Sequence, residues 1–120
     1  MAATFSHWNS LDDRPGQVAL KDSAIRVLAV FVVLPQHEEE VQDLLRRLRS
    51  KALSSAGYQL GTVWQDVAVP YRLVAFESWQ TLEHYLMFQG QEETRQFMKQ
   101  IKSCLAMPPQ VSLLQQPHSE

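Results

Sequence analysis

The chain has 120 residues, 45% of them hydrophobic and 20% charged, which is the balance of one globular domain with apolar side chains enough for its own core. Eleven Lys and Arg against 13 Asp and Glu leave a net charge of -2, so no global positive field exists to hold nucleic acid or an anionic membrane. The longest apolar run, Val27 to Leu34, falls far short of the roughly 20 residues of a bilayer-crossing helix, and the single cysteine, Cys104, excludes an intramolecular disulfide framework and a multi-cysteine zinc site.

Residues 1–24 scatter Phe5, Trp8 and Leu11 among polar side chains and an Arg14-Pro15-Gly16 turn, without a sustained period. They read as an N-terminal arm, either docking through its aromatics or forming a loose tail. Met1 to Ser10 lacks a basic cluster followed by an apolar stretch, so no signal peptide is expected. A cytoplasmic location is the corresponding expectation, and one unpaired cysteine suits a reducing compartment.

From Ile25 to Leu34 the sequence reads IRVLAVFVVL and stops at Pro35, a β-branched and aliphatic strand with apolar side chains on both faces. His37 to Ala56 places Val41, Leu44, Leu45, Leu48 and Ala52 at helical spacing. Glu38, Glu39 and Glu40 open this helix and Arg46, Arg47, Arg49 and Lys51 lie toward its end, the charge order the helix dipole favours. Asp43 stands three and four residues before Arg46 and Arg47, so the basic cluster has a structural explanation without nucleic acid. Gly57 is expected to cap the helix. Tyr58 to Val67 and Tyr71 to Trp79 form two strands joined by Ala68, Val69 and Pro70, a hairpin. A second helical region breaks near Gly90, with Leu82, Tyr85 and Leu86 before it and Phe97, Met98, Ile101 and Leu105 after it. Met107-Pro108-Pro109 ends it, and Val111 to Leu114 is a short last strand before the polar tail at residues 116–120.

The order strand, helix, strand, strand, helix, strand is the split βαβ pattern of an α+β ferredoxin-like sandwich, a four-stranded antiparallel sheet with both helices on one face. The first strand is apolar on both faces, and in the third Val74 and Phe76 oppose Tyr71, Leu73, Ala75 and Trp79. The second face needs a cover, and a second copy of the sheet in a homodimer supplies one.

An apolar first strand, Pro35 and acidic residues opening a helix, Ala56-Gly57 closing it, and Phe76-Glu77-Ser78-Trp79 ending the third strand form a combination that resembles the antibiotic biosynthesis monooxygenase family of dimeric α+β barrels. The similarity covers residues 25–115. It implies a small homodimeric protein that oxidises electron-rich aromatics such as phenols, quinols or anthrones with dioxygen, without metal or flavin. The alternative within the same fold is a noncatalytic ligand-binding or stress-response protein. The implied chemistry needs a base, donors for the substrate anion and a pocket that excludes water. No Gly-x-Gly-x-x-Gly or Walker-type loop is present, so no cofactor is expected.

Trp79 matches the family tryptophan, which lines the substrate pocket in members with characterised sites; a plain packing role at a strand end is the competing reading. Glu77 lies on the same face and reads either as a base or as an anchor for Arg72 or another cation. His84 has the titration range of a general base but lies opposite the main apolar stripe of its helix, near Met87 and Phe88, so an exposed or interface position is expected. Tyr85 faces that stripe and is the better hydrogen-bonding candidate. Trp64 and Tyr58 are read as sharing one face of the second strand, and Tyr71 and Trp79 one face of the third, an aromatic set suited to a flat ligand or to a core. The haem-degrading branch of the family uses an asparagine in the first strand, and the sole asparagine here is Asn9, in the arm. His7, His37, His84 and His118 are too dispersed to read as a metal site. Cys104, without an adjacent base, reads as a buried thiol.

Overall fold

The computed structural model describes residues 22–117. Phe5, Trp8 and Leu11 of the arm lie outside the described residues. Four strands, β1 (Ile25–Val32), β2 (Tyr58–Gln65), β3 (Arg72–Trp79) and β4 (Gln110–Leu114), form one antiparallel sheet in the order β2-β3-β1-β4. The helices are α1 (Glu38–Leu53), α2 (Leu82–Gln89) and α3 (Glu92–Ser103). This is the expected ferredoxin-like arrangement, with the second helical region split at Gly90.

The stripe foreseen on α1 is buried in full: Val41, Leu44, Leu45, Leu48 and Ala52 pack toward the sheet. Each such Val or Leu side chain contributes about 1.5–3 kcal/mol when wholly removed from water. Asp43 carboxylate oxygens lie 3.0 Å from both Arg46 and Arg47, the arrangement expected from their spacing. Gly57 is not the helix cap, because α1 ends at Leu53 with Ser54 as its cap. Gly57 instead adopts φ +85° in the turn into β2, where the His84 ring occupies the space a Cβ would need. Its carbonyl accepts from Gln80 N–H at 2.7 Å, tying the start of β2 to the end of β3.

On α2 the buried positions are Leu82, Tyr85 and Phe88, whereas Leu86, assigned to the stripe from sequence, is 43% exposed. Thr81 caps this helix by accepting from His84 N–H, which fixes its first turn against the end of β3. Tyr85 and Phe88, three residues apart, pack on Trp79, and Leu86 is turned toward solvent.

Side-chain alternation in the sheet separates two faces. Ile25, Val27, Ala29 and Phe31 of β1 and Leu73, Ala75, Glu77 and Trp79 of β3 face the helices, paired as Val27 with Glu77, Ala29 with Ala75 and Phe31 with Leu73. Leu28, Val30, Val32, Val74 and Phe76 face outward, all only half-buried in the single chain. The register of β2 slips between Tyr58 and Leu60. This bulge reverses the alternation, because one extra residue moves every later side chain to the opposite face. Tyr58, opposite Trp79, therefore points to the helices, while Trp64, opposite Val74, points outward and is 66% exposed. The shared face read for Tyr58 and Trp64 from sequence is thus corrected.

Candidate active site

Between the inner sheet face and the helices lies a cavity of about 560 Å³. Its floor is Val27, Ala29, Phe31, Ala75, Val111 and Leu113, and Leu45 and Leu48 of α1 form one wall. Ala29 and Ala75 are directly paired, with Val111 on the other side of Ala29, so the centre of the floor carries three small side chains in a row. These short side chains leave space that larger residues at the same positions would fill. The size is within the range of small-molecule pockets.

Glu77 projects into this apolar space. Its Oε1 accepts a hydrogen bond of 2.9 Å from Trp79 Nε1. Burial raises the Glu77 pKa above the ordinary carboxylate value, and the bond from Trp79, which favours the anion, offsets part of that rise. Trp79 is fully buried and is held edge-on by Tyr58, with ring centres 5.3 Å apart, and by Tyr85, at 5.9 Å, while Phe88 packs at 5.2 Å. Trp79 therefore orients the carboxylate from behind and is not itself part of the cavity lining.

Tyr85 lines the cavity beside Glu77, and burial, assisted by the Glu77 charge, pushes its pKa far up. It remains a neutral phenol and a hydrogen-bond donor at any ordinary pH. Gln89, one turn further along α2, adds an amide. Tyr58 Oη is buried over Gly61, the residue opposite Glu77, and a Cβ at Gly61 would strike it. Burial raises the Tyr58 pKa too, and nearby Arg49 offsets part of that rise.

The structure thus unites Glu77, Trp79, Tyr85 and Tyr58 from the sequence-derived set and separates the others. Arg72 sits on the opposite sheet face from Glu77 and bonds Asp66 at 2.8 Å, so it is not the carboxylate's partner. Asp66 also accepts from the Ala68 and Val69 amides, and its pKa is lowered chiefly by the Arg72 bond, so the pair serves the hairpin turn. Tyr71, just before β3, is 49% exposed and lies outside the lining. His84 is turned away from the cavity, its Nδ1 2.7 Å from Thr81 Oγ1 and its ring against Gly57.

Sequence reasoning missed the contribution of α3. Arg95, Met98, Lys99 and Lys102 line the cavity, and their signal was a basic series at helical spacing in the segment after Gly90. It also missed a cluster in which ligand atoms of His37, Glu40 and Cys104 all lie within 4.8 Å of one another. That cluster joins the start of α1 to the end of α3 and does not line the cavity. His37 and Glu40 are three residues apart, but Cys104 is remote from both in sequence, so spacing could not show the cluster.

Fold and site together define a class: a ferredoxin-like α+β domain with a ligand-sized apolar cavity between sheet and helices and a half-buried carboxyl at its floor. The family model described as antibiotic biosynthesis monooxygenase matches residues 24–100, and the chain belongs to that family. No curated protein sequence matches. Solved structures share the fold. A conserved protein from Methanosarcina mazei Go1 superposes with a TM-score of 0.75 at 20% identity, covering 82% of this chain and 97% of that one. A putative antibiotic biosynthesis monooxygenase from Bordetella bronchiseptica gives 0.69 at 21% identity over 79% and 98%. SnoaB, a cofactor-independent oxygenase from Streptomyces nogalater, gives 0.73 at 11% identity over 81% and 96%.

Proposed function

We propose that this protein is a cofactor-independent monooxygenase that oxidises a small electron-rich aromatic, a phenol, quinol or anthrone-like compound, with dioxygen. The observation that carries the reading is the Glu77 carboxyl in an apolar cavity, its pKa raised by burial and its orientation fixed by Trp79. A base with such a pKa is better matched to an acidic C–H or phenolic O–H than an exposed carboxylate is. The family assignment and the fold shared with the oxygenase SnoaB support the same chemistry.

In this reading Glu77 takes a proton from the bound aromatic, and Tyr85, held neutral, donates a hydrogen bond to the anion that forms. For an anthrone-like methylene the carbanion passes one electron to dioxygen, and the radical pair combines through a new C–O bond. The O–O bond then breaks with loss of the remaining methylene proton, leaving a carbonyl on the substrate and releasing the second oxygen as water. The apolar floor excludes bulk water from the anion. Oxygen uptake by the purified chain with a panel of hydroquinones and anthrones tests the reading. Uptake above the protein-free rate that disappears in Glu77→Gln is expected, and no uptake with any of the panel refutes it.

A binding-only role is the second reading, favoured by the placement of His84 outside the cavity. Saturable binding of these aromatics without oxygen uptake would select it. We further propose a cytoplasmic homodimer assembled through the outer sheet face, where Leu28, Val30, Val32, Val74 and Phe76 gather beside exposed Trp64. Proteins of this family are commonly dimeric. Light scattering during gel filtration is expected to give twice the chain mass, and a Phe76→Arg variant is expected to give a monomer. Among the described residues no helix is long and apolar enough to cross a membrane.

A further inference from the structure

The cavity has a cationic rim that the oxidation chemistry does not use. Arg95, Lys99 and Lys102 stand at i, i+4 and i+7 on α3, within about 60° of arc at roughly 100° per residue. All three line the cavity and all three are exposed. At about 1.5 Å of rise per residue the stripe runs for about 10 Å along the opening. Four cations elsewhere among the described residues are engaged by acids, Arg46 and Arg47 by Asp43, Lys51 by Glu93 and Arg72 by Asp66, whereas Arg26 and Arg49 lie outside the cavity lining and form no salt bridge. On this rim no salt bridge is formed among the described residues, and Arg95 donates only to the Gly90 carbonyl, at 3.2 Å. Three positive charges with no acid between them repel one another, a cost that an anion held in the opening relieves.

The floor is apolar and carries one acid, Glu77, on the sheet side. A ligand complementary to both surfaces has a flat apolar body for the floor and one acidic group placed at its edge, toward α3. We propose that the cavity selects aromatic substrates bearing a carboxylate, which Lys99 and Lys102, with Arg95, hold at the rim while the phenolic end of the ring system reaches Glu77. This inference rests on the aromatic cavity of the proposed function and names its substrate class. The carboxylate also sets which end of the ring enters first, because the reverse pose would bring it toward the Glu77 carboxyl and leave the rim unmatched.

Calorimetric titration of the full chain with a hydroxynaphthoic acid and with the corresponding uncharged naphthol provides the test. The acid is expected to bind about tenfold more tightly in dilute buffer, the sum of three exposed charge interactions of modest size. That advantage is expected to shrink as salt rises, since screening shortens from about 10 Å at 0.1 M to about 3 Å at 1 M. A Lys99→Gln/Lys102→Gln variant is expected to lose most of the advantage while its affinity for the naphthol stays the same. Both side chains are exposed, so folding is retained, and the salt series on the unaltered chain gives an independent reading. Equal affinities, tighter binding of the naphthol, or an advantage that survives both salt and the double substitution would overturn the selection by the rim. Failure of both ligands to bind would instead overturn the aromatic cavity itself, and the carboxylate selection with it.

Discussion

Replacing Glu77 with Gln separates the catalytic and energetic consequences of placing a carboxyl in an apolar cavity. The amide has nearly the same shape, and its oxygen can still accept from Trp79 Nε1, now 2.9 Å from Glu77 Oε1. The charge is what changes. Burial raises the folded-state pKa of Glu77 above the unfolded value of about 4.3. Below that value both states hold the proton. As pH rises through it, the unfolded chain releases the proton while the folded chain keeps it, so the folded state loses relative stability until its own pKa has been passed. Each pH unit between the two values corresponds to about 1.4 kcal/mol. Glu77→Gln is therefore expected to gain stability relative to the unaltered chain as pH rises from 4 to 8. Urea titrations followed by tryptophan fluorescence at the two pH values would read this as a rise in midpoint at constant slope. The same variant is expected to lose about 10²- to 10⁴-fold in kcat/KM, the contribution of a positioned base. A stability difference that does not change with pH, or that reverses in favour of Glu77 as pH rises, would show that the carboxylate is not desolvated. The argument for a buried base would then fail.

Trp79→Phe removes the N–H bonded to the carboxylate while keeping a ring between Tyr58 and Tyr85, so the acid limb of the kcat/KM profile is expected to move to higher pH; an unmoved limb would refute the positioning role. His84→Asn keeps a polar partner for Thr81 and is expected to lower kcat/KM by less than about tenfold, below the range of a general base, because the ring faces Gly57 and not the cavity. Gly57→Ala forces a Cβ into the φ +85° conformation and against the His84 ring, and is expected to lose about 1–2 kcal/mol or more in urea titrations. Ala75→Leu fills the floor and is expected to abolish naphthol binding while preserving stability or raising it by up to about 2 kcal/mol, since three added carbons enter existing space. Loss of stability in that variant would mean that the space is too small for a ligand.

The order of elements was legible because each carried its own period and punctuation. β1 lies within the apolar run before Pro35 but ends at Val32, the five-residue apolar stripe of α1 survives intact, and Asp43 meets both arginines that its spacing predicted. The errors arose where a single residue changes the phase of a pattern. In β2 the bulge after Tyr58 sends Trp64 to the outer face, and no composition signal in Tyr58-Gln59-Leu60 marks that extra residue. On α2 the Thr81 cap and the docking of Phe88 on Trp79 rotate the helix away from the stripe that included Leu86. A carboxylate among apolar strand residues suggests a cation such as Arg72 as its anchor, yet strand alternation places side chains five residues apart on opposite faces, and Asp66 across the hairpin claims the guanidinium.

The part of the site that alternation alone can fix, Glu77 and Trp79 two residues apart on β3, was legible from sequence. The cavity was not, because it is made by what three strands lack at one level: Ala29, Ala75 and Val111 become a gap only once their register places them side by side. A short side chain in sequence reads as weak core, and only tertiary pairing distinguishes a hole from a closely packed neighbour. The same pairing sets Glu77 one row from that gap, next to Val27 on one side and Gly61 on the other. Apolar neighbours on the strand deprive the carboxyl of water, and Trp79 donates to it. The perturbed acid and the space for a ligand thus arise from one register, so a shift of β3 by a single residue would destroy both together.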